Sequence, residues 1–236
     1  MRRQDSGESD RRLTLLTDEY GKVDVVAKGA RKGGSRLAGA SEPFVLAEFT
    51  WAEGRSRRFV MQARPRTSFP RVRADYDRLT AALAWCELLA QAITFDSPSG
   101  GLLEEAVGVA HCFEESPDPA AVFAWGMVRL LEAEGIGPSW INCVLTGDTL
   151  QTGTVAVSPM AGGYVSVDQA AYADAVWTLA EVAITAHKLG ELDAPPRQMK
   201  RRHETVMALV RYWEHVVERQ LPACESFARS LEGSTE

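Results

Sequence analysis

The periodicity of the apolar residues changes near residue 73, and that change constrains the fold more than any other feature of the chain. Ahead of it, short stretches alternate apolar and polar residues and end at turn signals, as half-buried strands do. Residues 13–17 stop at Asp-Glu-Tyr-Gly, and residues 22–30 alternate Val23, Val25 and Ala27 with polar neighbours. Residues 44–54 and 57–66 flank a turn at Glu53 and Gly54. Four short strands with glycine-rich turns predict a small antiparallel sheet or barrel. From Asp75 the apolar residues recur at helical spacing, at Leu79, Leu83, Cys86, Leu89 and Ile93, until DSPSGG at 96–101 breaks the pattern. Further helices are predicted over 102–113 and over 120–135, the latter opened by SPDPA and closed by Gly135. Another is predicted to begin near Asp168 and close over 181–190, and a last long one to run from about 198 to 219. Between them, about 141–167 is rich in Thr, Val and Gly without a helical period, which predicts a short hairpin-like insert. The expected fold class is α+β: a small β domain over 1–72, then a mainly helical domain over 73–236.

Charge divides the chain at nearly the same place. Residues 1–80 hold 17 Lys and Arg against 11 Asp and Glu, whereas residues 81–236 hold 9 against 21. The leading segment can therefore attract a polyanion that the rest repels. No apolar run reaches the ~18 residues of a membrane helix, and MRRQDSGESDRR lacks the apolar stretch of a secretory signal. Cys86, Cys112, Cys143 and Cys224 form no CxxC pair, which suits buried thiols in a reducing cytoplasm.

The basic charge is concentrated in AKGARKGGSRLAG, residues 27–39, where Lys28, Arg31, Lys32 and Arg36 alternate with glycines. Gly29 and Gly34 have the outer spacing of a nucleotide-binding P-loop, but Ser35 and Arg36 stand where that motif needs Lys and then Ser or Thr. Two readings remain: a solvated hairpin loop, or a flexible clamp whose cations and main-chain N–H groups grip a nucleic-acid backbone. Arg55, Arg57 and Arg58 form a second basic turn, and Arg64, Arg66, Arg71 and Arg73 a third run, with Phe49, Trp51, Phe59 and Phe69 interleaved. A small β module with basic loops and exposed rings suits single-strand binding. Strand alternation also puts Phe49 and Trp51 on one face, where both can be core. His111, His187, His203 and His215 lie far apart, and there is no HExxH or nucleophile elbow. Asp18, Glu19 and Asp24 surround a turn, which explains them. No catalytic residue and no enzyme activity are expected.

Residues 7–44, GESDRRLTLLTDEYGKVDVVAKGARKGGSRLAGASEPF, resemble the N-terminal region of the bacterial recombination-mediator RecO family. The resemblance continues through residues 73–89, through 124–143 with its Gly-x-x-Pro followed by Cys, and through SPMAGGYVS at 158–166. It implies an N-terminal OB-fold barrel followed by a helical domain. The function it implies is binding of single- and double-stranded DNA, annealing of complementary strands, and help in loading RecA at gaps coated by single-strand-binding protein. The partners implied are DNA, RecR and the acidic tail of single-strand-binding protein, and the implied location is cytoplasmic and nucleoid-associated. On this reading Lys28, Arg31, Lys32, Arg36, Arg55, Arg57 and Arg58 hold the DNA backbone. Lys200, Arg201 and Arg202, in the one basic cluster of the helical domain, receive the acidic tail. The alternative is a protein-interaction scaffold that does not touch DNA.

The chain departs from the family pattern twice. Many members hold zinc with two cysteine pairs around the central insert; here Cys143 stands alone, with Thr146, Ser166 and Gln169 at the other positions. One thiolate and three neutral groups do not make a tetrahedral zinc site, so no metal or other cofactor is expected. An apolar strand precedes Gly-Glu-Ser-Asp in the family, whereas MRRQDS precedes it here. The expectation is a barrel whose first strand is truncated, or a start codon assigned too late.

Overall fold

A computed structural model describes residues 1–96, 101–171 and 174–233. The chain packs as two compact units, Met1–Glu114 and Glu115–Glu236.

The first unit is built on five strands: β1 (Arg2–Ser6), β2 (Asp10–Thr17), β3 (Gly21–Ala27), β4 (Leu46–Glu53) and β5 (Arg58–Thr67), hydrogen-bonded in the order β1-β2-β3-β5-β4. The sheet is OB-like in its order, and among the described residues no ladder joins β1 to β4 to close a barrel. The residues ahead of Gly-Glu-Ser-Asp form β1. Although RRQDS has no apolar residue, it pairs with β2 in unbroken antiparallel register from Arg2 opposite Thr14 to Ser6 opposite Asp10. Main-chain pairing and an Arg3–Glu42 ion pair hold it, not burial. The β2–β3 turn closes where Thr17 Oγ1 donates to Gly21 O and accepts from Tyr20 N–H, with Gly21 at φ 61°.

β3 and β5 run parallel, with Val25 opposite Arg58 and Val26 opposite Phe59; every other strand pair in the sheet is antiparallel. A register shift between Thr50 and Trp51 lets β5 bulge at Met61, since Trp51 faces Val60 and Thr50 faces Gln62. One face of the sheet is core: Leu13, Val23, Val25, Ala27, Ala30 and Val60 are buried, with Phe49 and Trp51 packed against them. Strand alternation did predict that placement of Phe49 and Trp51.

Three helices complete this unit: α1 (Pro70–Ala74), α2 (Tyr76–Ala92) and α3 (Leu102–Glu115). Asp75 caps α2 by accepting Arg78 N–H at 2.9 Å, and Glu114 accepts the N–H groups of Arg71 and Val72 at the start of α1. Buried Lys22 donates to Ala90 O at 2.8 Å, satisfying a terminal carbonyl of α2. The core stripe of α2 runs through Ala81, Trp85 and Leu88, and Leu83, expected within it, is 38% exposed. The break expected at 96–101 falls mostly on residues 97–100, which lie outside the described residues. By packing, the first unit extends past the change of pattern at 72/73 to Glu114. α1–α3 are tied to one another and to the sheet within the first unit.

The second unit packs α4 (Pro119–Ala133) with α5 (Ala180–Gly190), α6 (Arg202–Val217) and α7 (Pro222–Ser230). α4 is buried on nearly every side, which explains its continuous apolar sequence. It ends as predicted: Gly135 takes φ 71°, its N–H donates to Glu132 O, and Ile136 N–H donates to Leu131 O, the Schellman arrangement. The insert is a sheet of three strands, β6 (Thr154–Ser158), β7 (Gly163–Val165) and β8 (Val176–Leu179), in the order β7-β6-β8. The helix expected from Asp168 thus starts only at Ala180, because Val176–Leu179 pairs along β6; residues 172–173 lie outside the described residues. Gly163 meets Ser139 so closely that a Cβ would stand 2.6 Å from Ser139 N, so only glycine fits. α7 was not foreseen in the sequence; α6 ends with Glu218 at φ 52°, and Pro222 starts a new helix.

Candidate nucleic-acid interface

The glycine-rich basic segment leaves the end of β3 as a succession of tight turns. Backbone N–H groups of Lys32, Ser35 and Ala38 donate to the carbonyls of Gly29, Lys32 and Ser35 at 3.0–3.1 Å. Gly29 and Gly34 take φ 66° and 74°, a region that costs a side-chain-bearing residue steric energy. Two anchors hold the turns to the β1–β2 hairpin. Asp10 Oδ1 accepts Gly29 N–H at 2.8 Å, and Arg31 N–H donates to Ser9 O at 2.9 Å. The Gly29 N–H, aided by Ser9, Lys28 and Lys32, holds the Asp10 carboxyl below its ordinary pKa, against the opposing effect of desolvation. Farther along, Arg11 binds Ala38 O, Ser41 Oγ and Glu42.

These anchors sort the seven expected DNA-binding cations. Arg31 is committed: its guanidinium donates to Gly7 O at 3.0 Å and lies 3.4 Å from Asp5. Arg58 is committed too, 2.9 Å from Glu53 and 2.7 Å from Asp96, and those hydrogen bonds raise its pKa. Lys28, Lys32, Arg36, Arg55 and Arg57 are exposed, and none forms an ion pair with another of the described residues. The Lys32 stem crosses Gly29, where a Cβ would stand 3.6 Å from Lys32 Cδ, so Lys28 and Lys32 flank one turn. Lys28 Nζ reaches 4.4 Å from the centre of the Phe59 ring, whose edge lies against Gly54 in the second basic turn. Lys28 thereby stands between the two turns. In the third run Arg66 pairs with Glu48, and Arg73 binds the carbonyls of Ser68, Pro43 and Phe44, while Arg64 is exposed. A cleft of about 600 Å³ in this unit is lined by apolar residues such as Leu15, Phe49, Trp51, Trp85 and Leu89 and by Asp18, Glu19 and Glu48, with no lysine or arginine.

The basic cluster of the second unit is arranged differently. Arg202 Nε lies 3.1 Å from Asp118, a buried carboxylate that also caps α4 through Ala120 and Ala121 and accepts Met199 N–H. Arg201, at φ 49°, pairs with Glu204 at 3.5 Å. Lys200 is exposed beside a cleft of about 540 Å³ that Arg201 and Arg202 also line.

At the position of the family's zinc site, Cys143 Sγ accepts Ser166 N–H at 3.4 Å, and Thr146 Oγ1 donates to Asp148 at 2.7 Å. Burial pushes the Cys143 thiol up, but hydrogen bonds from Thr146, Ser166 and Leu145 outweigh it and bring the pKa to about 7. A single thiol whose neighbours are already engaged does not fit tetrahedral zinc. Among the described residues no three His, Cys, Asp or Glu side chains converge to hold a metal ion. The histidines stay apart: His111 lies on Phe69, His187 beside Glu191, and His203 on Ala228 O.

A five-stranded OB-like sheet with exposed cations on its turns, followed by a helical unit with a small sheet, defines an α+β protein. Two family models match it: "Recombination protein O N terminal" over residues 1–69 and "Recombination protein O C terminal" over residues 73–222. The chain belongs to the RecO family. It is similar to DNA repair protein RecO of Trichodesmium erythraeum (strain IMS101), 31% identical over 239 residues that cover 91% of this chain and 82% of that protein. It is similar to the RecO of Roseiflexus sp. (strain RS-1), 32% identical over 232 residues, 93% of this chain and 79% of that one. With DNA repair protein RecO of Desulfitobacterium hafniense (strain DSM 10664 / DCB-2) it shares 38% identity over 165 residues, 70% of this chain and 60% of that protein. No helix among the described residues is long and apolar enough to cross a membrane.

Proposed function

We propose that the chain is a DNA-binding recombination mediator in DNA repair. It holds single- and double-stranded DNA through its first unit, anneals complementary strands, and helps load RecA at gaps coated by single-strand-binding protein. The observation that carries this reading is the set of five exposed cations without an ion-pair partner among the described residues, Lys28, Lys32, Arg36, Arg55 and Arg57, projecting from turns of one OB-like sheet. Five such charges can each meet a phosphate and release counterions, which binds any sequence alike. Arg31 and Arg58 serve instead to hold the turns that present them. The protein acts as a binder and not as an enzyme, without structural zinc; the donor set around Cys143 supports that part. RecR and the acidic tail of single-strand-binding protein are its protein partners, the tail docking where Lys200 and Arg201 border their cleft.

The test is fluorescence anisotropy of a labelled oligonucleotide across a salt series, followed by annealing of complementary strands with and without single-strand-binding protein. Lys32→Glu with Arg36→Glu is expected to weaken binding to every sequence, by roughly 100-fold at low salt, and to flatten the log–log salt slope by about 1.4 on single strands, at about 0.7 per contact. Wild-type affinity and slope in that double variant reject the assignment. No DNA binding by the wild-type chain favours a protein-interaction scaffold.

A further inference from the structure

The aromatic residues of the β region do not all share one role. Phe49 and Trp51 pack in the core of the sheet, and Phe69 is 3% exposed, against Phe44 and His111. Phe59 lies on the other face. It sits opposite Val26 in the parallel β3–β5 pair, whereas its neighbour Val60 and the residues Val25 and Ala27 point into the core. The ring is only partly buried, and its Cδ2–Cε2 edge rests on Gly54, where a Cβ would stand 2.7 Å from Cε2. Its face meets a cation, Lys28 Nζ, at 4.4 Å from the centroid. An aromatic ring is thus kept at the surface between two basic turns, covered by one exposed, flexible lysine.

We propose that Phe59 is a base-stacking residue: an unpaired nucleobase takes the ring face, and Lys28 moves from the ring to the adjoining phosphate. The inference rests on the DNA-binding reading and sharpens its ligand, giving the interface a preference for single strands over duplex. The exchange is favourable by magnitude. An exposed cation–π contact corresponds to roughly 2- to 5-fold in affinity, and a stacked base to about 5- to 150-fold. Displaced Lys28 also gains a phosphate partner. A duplex keeps its bases stacked on one another and offers the ring nothing comparable.

Anisotropy titrations of the full chain test this with three probes of equal length: a single strand, the same strand carrying abasic sites, and the duplex. Phe59→Leu keeps apolar bulk against Gly54 but removes the π face; Phe59→Trp enlarges it. Phe59→Leu is expected to lose about 5- to 150-fold in single-strand affinity. It is expected to stay within about 2-fold of wild type on the abasic strand and the duplex, with an unchanged salt slope. Phe59→Trp is expected to keep or exceed wild-type single-strand affinity. Equal losses on all three probes mean that Phe59 only shapes the sheet, and they overturn the inference. Unchanged single-strand binding in Phe59→Leu overturns it as well and leaves the DNA-binding reading intact. A wild-type chain that binds none of the probes overturns both.

Discussion

The turn segment 28–36 and the cluster 200–202 are alike in sequence, each a dense basic run near glycine or proline, yet the fold pairs their charges differently. In the first, one arginine of four cations is consumed by anchoring, and the remaining Lys28, Lys32 and Arg36 reach solvent without an acidic partner among the described residues. In the second, Arg202 neutralises buried Asp118 and Arg201 meets Glu204, so of the three only Lys200 has no ion-pair partner among the described residues. Charge density does not separate an interface from a scaffold. What separates them is whether folding brings a carboxylate within reach, and buried Asp118 requires a cation in a way that exposed Asp5 does not.

The contrast can be broken in several places. The largest effect is expected for Asp118→Ala, which removes a helix cap and leaves Arg202 without its partner. A loss of about 1–3 kcal/mol in urea unfolding is expected, with DNA affinity of the folded fraction unchanged; a loss below about 1 kcal/mol would place the second cluster with the first. Next, Arg31→Ala and Lys32→Ala should separate anchoring from contact within one loop. Arg31→Ala costs about 1 kcal/mol of stability, whereas Lys32→Ala stays within about 0.5 kcal/mol and flattens the salt slope by about 0.7; identical behaviour of the two erases the distinction.

A smaller effect concerns pH. The Asp10 carboxyl has its folded-state pKa depressed, so its hold on Gly29 is complete above the unfolded value and is lost as pH falls through the folded one. The Gly29 amide resonance should therefore shift with a midpoint below 3.8, and a midpoint at or above 3.8 disconnects the turn from Asp10. The smallest is at Cys143. Its ultraviolet thiolate signal, taken as the difference from Cys143→Ser, should appear with a midpoint near 7, and Thr146→Val should move that midpoint upward. The same depression makes its stabilising effect present above the unfolded thiol value of 9.0 and lost as pH falls through about 7.

How much of this was legible beforehand depends on whether the determining contacts were local. The strands around Val23, Val25 and Phe49 and the end of α4 at Gly135 follow from period and turn chemistry within a few residues. β1 was hidden because RRQDS has no apolar period to read; its strand is defined by a neighbour. β8 was read as helix because a β-branched and aromatic run flows straight into Ala180, and pairing with β6 decides its conformation. The basic residues of the candidate interface were singled out from composition and turn signals. That Arg31 and Arg58 anchor while Lys32 and Arg57 do not depends on Asp5 and Asp96, acids remote in sequence that no local pattern connects to them.

The polar first strand has a consequence for life in a crowded cell. β1 pairs with β2 on one side, and its residues Arg2, Arg3, Gln4 and Asp5 are all exposed. A sheet margin with free amides is an invitation to stack with a stranger, and charge is what withdraws the invitation. Arginine and aspartate along that margin make pairing with another copy unfavourable at the place where the described ladder stops.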